Sequence, residues 1–173
     1  KNQPGGPELN VENVNGIEGA LEIGYTFTPP VACMLDTLGA MMPDSGKTYS
    51  VSLWDSLTHE LLVRRDIKIT NTSFFNYVDL GTDSKVLQAN HTYMVSINTG
   101  HISDVSPNPI GDSYYELIQK GGSIFPFTGY PHLINYNKEY TEHTGFSGPQ
   151  YPTSLWPFDY VVTGFCDVGL TYF

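Results

Sequence analysis

The sequence predicts an all-β fold, an antiparallel β-sandwich or jelly roll, on three observations. Apolar side chains recur at every second residue in one segment after another, the period of a strand with one buried face. The composition agrees: 12 Tyr, 9 Phe, 17 Gly and 12 Pro suit strands and turns, and only 15% of 173 residues are charged, low for a helical protein. No amphipathic stretch at helical spacing is longer than two turns.

The elements follow in order. Residues 1–16, opening KNQPGGPELN, are polar and rich in Pro and Gly, so they are expected to be a flexible tether. Residues 17–173 are expected to form one sandwich domain, a size suited to a single core. GALEIGYTFTP alternates, with Leu21, Ile23, Tyr25 and Phe27 on one side and Glu22, Gly24 and Thr26 on the other. Pro29-Pro30 ends it, VACMLDTLGAMM is the next extended run, and MPDSGK is a turn.

VSLWDSLTHELLVRRDIKI at 51–69 reads as a β-hairpin, with Asp55 and Ser56 opening its turn by bonding nearby backbone N–H groups. Leu61, Val63, Ile67 and Ile69 share its second apolar row; Arg65 interrupts that row, which predicts a bulge there or a strand leaving the core. NTSFFNYVDLG is a further strand, TDSKVLQANH a connection, and TYMVSIN places Tyr93, Val95 and Ile97 on one face. SYYELIQK fits a short helix and an edge strand equally. The chain closes on an inward row of Val162, Cys166, Val168, Leu170 and Tyr172. A strand so apolar is expected in the middle of a sheet, because exposed apolar edges invite aggregation.

A formal net charge of −10 disfavours nucleic acid and anionic lipid, which both require a cationic surface. No apolar run approaches the roughly 20 residues that cross a bilayer. A chain opening on Lys1 fits a processed exported protein or lipoprotein, with a lipid anchor carried by a removed N-terminal region, and equally a protein cut at a convenient place. Cys33 and Cys166 both lie in phase with buried neighbours. They read as two small buried hydrophobes, or as a disulfide between early and late strands in an oxidising compartment.

Residues 99–159 stand apart as a long insertion, and within 124–160 ten of 37 residues are aromatic and five are Pro. Long loops in compact domains are often functional, and aromatic faces stack on the C–H faces of sugars. Tyr130, Tyr136, Tyr140, His143, Tyr151, Trp156 and Asp159 are therefore the candidate ligand-binding residues, with Glu139 and Glu142 as further acceptors for hydroxyls. The alternative is a lid, its rings turned inward to cap the sandwich.

Other chemistry is weaker. SGKT at 45–48 lacks the upstream Gly of a phosphate loop. In 11–22, Asn13, Asn15, Gly16 and Glu22 fit calcium-loop positions, but Val11 stands where the first ligand is required. A structural calcium ion there is a minor expectation; otherwise no cofactor is expected. The five His show no metal-ligand spacing, and His101 with Asp104, in a loop, is the pair that comes nearest to one, read as solvated. GFSGP lacks the spacing of a nucleophile elbow.

The succession "IGYTF", "LDTLGAM", "YSVSLWDSLTHELL", "LQANHTYMVSIN" and a closing "DVGLTYF" resembles an uncharacterised family of bacterial extracellular β-sandwich domains. The resemblance covers about 19–98 and 160–173. It implies a jelly roll of galactose-binding-like, carbohydrate-binding type, appended to secreted or surface-anchored proteins, and it brings no catalytic residue. The expected function is a non-catalytic extracellular, cell-surface or periplasmic module that binds a glycan or another surface protein. A structural or adhesion-type domain is the second reading, and a small hydrolase, which needs two carboxyls about 5–10 Å apart, the third.

Overall fold

The structure, a computed structural model, describes residues 9–13, 20–42, 45–98, 115–119, 138–143, 149–155 and 166–173. Its strands are β1 (Leu9–Asn13), β2 (Ala20–Phe27), β3 (Cys33–Ala40), β4 (Thr48–Asp55), β5 (Leu61–Lys68), β6 (Asn76–Asp79), β7 (Lys85–Leu87), β8 (Tyr93–Asn98), β9 (Tyr115–Gln119), β10 (Lys138–His143), β11 (Ser154–Leu155) and β12 (Cys166–Tyr172). The described residues include a single 3-10 turn, Gly81–Asp83, and no α-helix. The all-β expectation holds.

Six strands form one antiparallel sheet in the order β11-β10-β2-β8-β4-β5. A second antiparallel sheet runs β12-β3-β6, and β7 also pairs with β3. β1 and β9 form a separate two-stranded pair. The inner rows of both larger sheets meet in one core. Tyr25 and Phe27 of β2, Tyr49, Val51 and Leu53 of β4, and Tyr93, Val95 and Ile97 of β8 come from the six-stranded sheet. Cys33, Leu35, Leu38 and Cys166 come from the other. These are the rows that two-residue periodicity picks out, because a pleated strand turned to a core must alternate.

Several local expectations change. The 51–69 hairpin is β4 and β5, and Asp55 Oδ1 accepts the N–H of Leu57 at 2.8 Å and of Thr58 at 3.0 Å, as its turn chemistry requires. The bulge is not at Arg65. The register shifts where Leu53 pairs with Val63 and Trp54 with Leu61, leaving Leu62 as the extra residue. That shift moves Leu61 off the inner row and leaves it exposed. Arg65 keeps its place opposite Val51. Its guanidinium reaches across to the other sheet's connection, bonding the Leu80 carbonyl and pairing with Asp83.

The segment 82–91, read as a plain connection, contains most of the 3-10 turn Gly81–Asp83 and all of β7. Within SYYELIQK, Tyr115–Gln119 form a strand, β9, and its partner β1 lies inside the stretch read as a tether. The tether reading fails over Leu9–Asn13, where a ladder to a distant strand offsets the chain entropy that composition alone leaves uncompensated. The closing strand β12 is not central: among the described strands it ends its sheet, paired with β3 alone. The insertion at 99–159 supplies β9, β10 and β11, and β10 is built into the six-stranded sheet beside β2. Its sequence, KEYTEH, has no apolar alternation to announce it.

Candidate functional site

On β2, β8 and β4 the face of the six-stranded sheet turned away from the core is largely polar, and it is buried. Reading across register, Glu22 of β2 pairs with Asn98 of β8, Gly24 with Ser96, Ser96 with Ser52 of β4, and Ser52 with Arg64 of β5. Glu22, Ser50, Ser52, Ser96 and Asn98 all have 0% exposure, and Met94 and Trp54 beside them are buried as well. Five polar side chains at full burial are unusual outside paired networks. Here a network is present.

Trp54 Nε1–H donates to Ser96 Oγ at 2.8 Å, and Ser96 Oγ–H donates to Glu22 Oε1 at 2.6 Å. Asn98 Nδ2–H donates to Glu22 Oε2 at 3.2 Å. The backbone N–H of Gln150, far along the chain, donates to the same carboxyl group. Gly24 makes the diagonal reach from Glu22 to Ser96 feasible, because a Cβ at Gly24 would lie 2.9 Å from Ser96 Cβ and 2.3 Å from the Val95 carbonyl oxygen. Burial pushes the Glu22 carboxyl up to about 7, against the opposing pull of Ser96, Asn98, the Gln150 N–H and the Arg64 charge. Toward β5, Ser50 Oγ–H donates to Asp66 Oδ1 at 3.0 Å, and Arg64 bonds both Ser50 Oγ and Asp66.

Ser52 is the exception, its Oγ buried with no hydrogen-bond partner among the described residues. An unsatisfied buried hydroxyl costs roughly 1–3 kcal/mol. Ser52→Ala is therefore expected to leave stability unchanged or to raise it by about 1 kcal/mol in urea unfolding. A loss above about 1 kcal/mol would show that a bound group satisfies this hydroxyl in solution.

Pro149–Thr153 joins this face to the end of the β4–β5 hairpin. Tyr151 meets Trp54 edge-on, with centroids 5.9 Å apart, and stacks on His59 at 3.8 Å and 9°. Its hydroxyl bonds Ser56 Oγ at 3.0 Å. His59 holds a left-handed backbone, φ 60°, inside the turn that Asp55 closes. Asp55 also accepts from His91, Nε2 to Oδ2 at 2.7 Å. The Thr58 N–H first of all, and then His91, hold the Asp55 carboxyl below the ordinary carboxylate value. On the far sheet, Tyr77 crosses Gly39, where a Cβ would lie 2.6 Å from its ring, and its hydroxyl donates to Asp167. Burial raises the Asp167 carboxyl, opposed by that bond.

Of the sequence candidates, Tyr151 is part of this site. Tyr140 and His143 lie on β10, paired with Ile23 and Ala20, and Glu139 and Glu142 pair with Gly24 and Leu21. Tyr130, Tyr136, Trp156 and Asp159 lie outside the described residues, as do Asn15, His101 and Asp104. Asn13 ends β1 opposite Tyr115. Glu22, at the twelfth place of the calcium-loop pattern, sits within β2, paired on both sides, with hydrogen-bond donors on both its oxygens.

Cys33 and Cys166 are free and buried. They lie at opposite ends of the β3–β12 ladder, Cys33 opposite Tyr172 and Cys166 opposite Ala40. At about 3.3 Å per residue, that puts them on the order of 20 Å apart, far beyond the Cα separation of about 4.4–6.8 Å in a disulfide. The disulfide reading is corrected, and the buried-hydrophobe reading stands.

Sequence reading missed Glu22 as a buried group, together with Ser96, Asn98, Ser52, Trp54 and His59. The alternation of GALEIGYTF and TYMVSIN marks their rows as polar, but not as covered. No family model matches this chain, and no curated protein matches its sequence.

Proposed function

We propose that this chain is a non-catalytic binding module of the bacterial exterior, secreted or anchored at the cell surface or in the periplasm. Its sandwich is read as a jelly roll of the carbohydrate-binding, galactose-binding-like type, and its ligand as a glycan. The observation that carries this reading is the aromatic ledge at the β4–β5 turn. Exposed His59 stacks on Tyr151, whose ring is backed at its edge by buried Trp54, with exposed Leu57 two residues along the turn. Preorganised rings bind with little entropy left to lose, and their faces suit the C–H faces of sugars.

A glycan array tests it, with the intact chain and the His59→Ala and Trp156→Ala variants at equal concentration. Retention on one glycan class is expected, falling at least tenfold in one or both variants. No retention on any glycan would refute it.

One observation favours the second reading, a structural or adhesion-type surface domain. The Tyr151 ring is covered by His59, met by Trp54 at its edge and tied through its hydroxyl to Ser56, as a lid would be. On that reading Tyr151→Ala lowers the melting temperature while no glycan is retained by any form of the chain.

A further inference from the structure

Most of the described strands that end a sheet are short or charged. β11 has two residues, β7 three and β6 four. β5 is long but carries Arg64, Arg65, Asp66 and Lys68, and β1 and β9, which pair only with each other, carry Glu12 and Glu116. Such edges resist the addition of a further strand. β12 is different. Its seven residues, CDVGLTY, hold one charge, Asp167, and Tyr77 already bonds that carboxyl.

The inward row of β12 is also incompletely covered. Val168, Leu170 and Tyr172 stand in register with Leu38, Leu35 and Cys33 of β3. Those three β3 residues have 0% exposure, whereas the three on β12 are only half-buried, and exposed Phe173 follows them. Along these rows the core is sealed at β3 and opens toward β12. A strand laid against the other side of β12, about 4.8 Å away, would seal it with its own inward side chains.

We propose that this strand is β12 of a second copy, the two pairing antiparallel about a two-fold axis at Gly169. The sequence of β12 selects its own copy as the occupant. Its inward residues are all even-numbered, so an antiparallel self-pair keeps them on the core side only when paired numbers sum to an even value. Among those registers, the one centred on Gly169 engages all seven residues. Cys166 meets Tyr172, Asp167 meets Thr171 and Val168 meets Leu170, so the two inward rows join and neither acid faces its own copy. The result is a continuous sheet in the order β6-β3-β12-β12-β3-β6. There the strand is central, which is the position its apolar alternation predicts. A contact of one strand and its flanks is small, so the dissociation constant is expected between about 1 µM and 1 mM.

The test is sedimentation velocity of the full chain from micromolar to millimolar concentration, with amide hydrogen exchange on the same samples, in mildly alkaline buffer to keep Asp167 ionised. Monomer is expected to pass to dimer as concentration rises. Alternate amides of β12 are expected to gain at least tenfold protection over that range, while those of β5 do not change. Thr171→Asp places an acid opposite Asp167 twice in each pair, and is expected to weaken association about threefold to tenfold. Thr171 is exposed, so the variant folds as the native chain does. A chain that stays monomeric throughout would overturn the pairing and leave this edge to a strand of a different protein. A dimer without added protection in β12, or one indifferent to Thr171→Asp, would place the contact elsewhere and overturn the proposal equally.

Discussion

Gly24→Ala is expected to be among the most damaging single substitutions in the chain, at about 3 kcal/mol or more. The new Cβ would stand 2.3 Å from the Val95 carbonyl oxygen and 2.9 Å from both Met94 Sδ and Ser96 Cβ. Met94 has a flexible side chain and could yield. The carbonyl cannot, because it belongs to the strand that β2 and β4 grip from both sides. Relief would require spreading β2 from β8, which breaks the link between Glu22 and Ser96 as well. For a domain of this size that corresponds to a drop of about 10 °C in melting temperature, or to a chain that does not fold. Gly46→Ala is the control. Gly46 has φ +88° but nothing within 4 Å of the added Cβ, so only the backbone conformation resists, at about 1 kcal/mol. Equal losses at the two positions would show that the outer face is not packed as described.

The second large effect is the pH dependence of stability. Below pH 4.5 the Glu22 carboxyl is protonated in both the folded and the unfolded chain, and its burial carries no charge penalty. Between 4.5 and about 7 only the unfolded chain gives up the proton. The unfolded state then binds fewer protons than the folded one, so stability falls as pH rises through that window and levels above it. The full difference is about 3 kcal/mol. Other carboxyls titrate in the same range, so the informative quantity is the native chain minus Glu22→Gln, read from urea midpoints between pH 4 and 8. The difference is expected to favour Gln increasingly with pH. A flat difference would remove Glu22 as the cause.

Much of the inner architecture was legible in the sequence. Tyr25, Phe27, Tyr49, Val51, Leu53, Tyr93, Val95 and Ile97 all face the core as their alternation requires. The misses share a physical origin. Leu61 leaves its row because an extra residue, Leu62, sits opposite a continuous β4, and only the pairing reveals it. β1 and β10 are polar strands whose place is set by distant partners rather than by their own apolar period. The candidate site follows the same rule. Glu22, Gly24 and Thr26 read only as the second side of a strand, with nothing nearby to mark it as buried. The hydrogen-bond partners of Glu22, Ser96, Asn98 and the Gln150 backbone, are all supplied by remote parts of the chain. The Asp55–His91 pair was likewise hidden, since the fold joins residues 36 apart in the sequence.

The direct test of a doubly covered six-stranded sheet is the titration of the Glu22 carboxyl carbon, followed by carbon-13 NMR in the folded chain. Its burial places the midpoint near 7. A midpoint near 4.5, the ordinary value for a solvated glutamate, would mean that this face is open to water, and the buried polar network would have no basis.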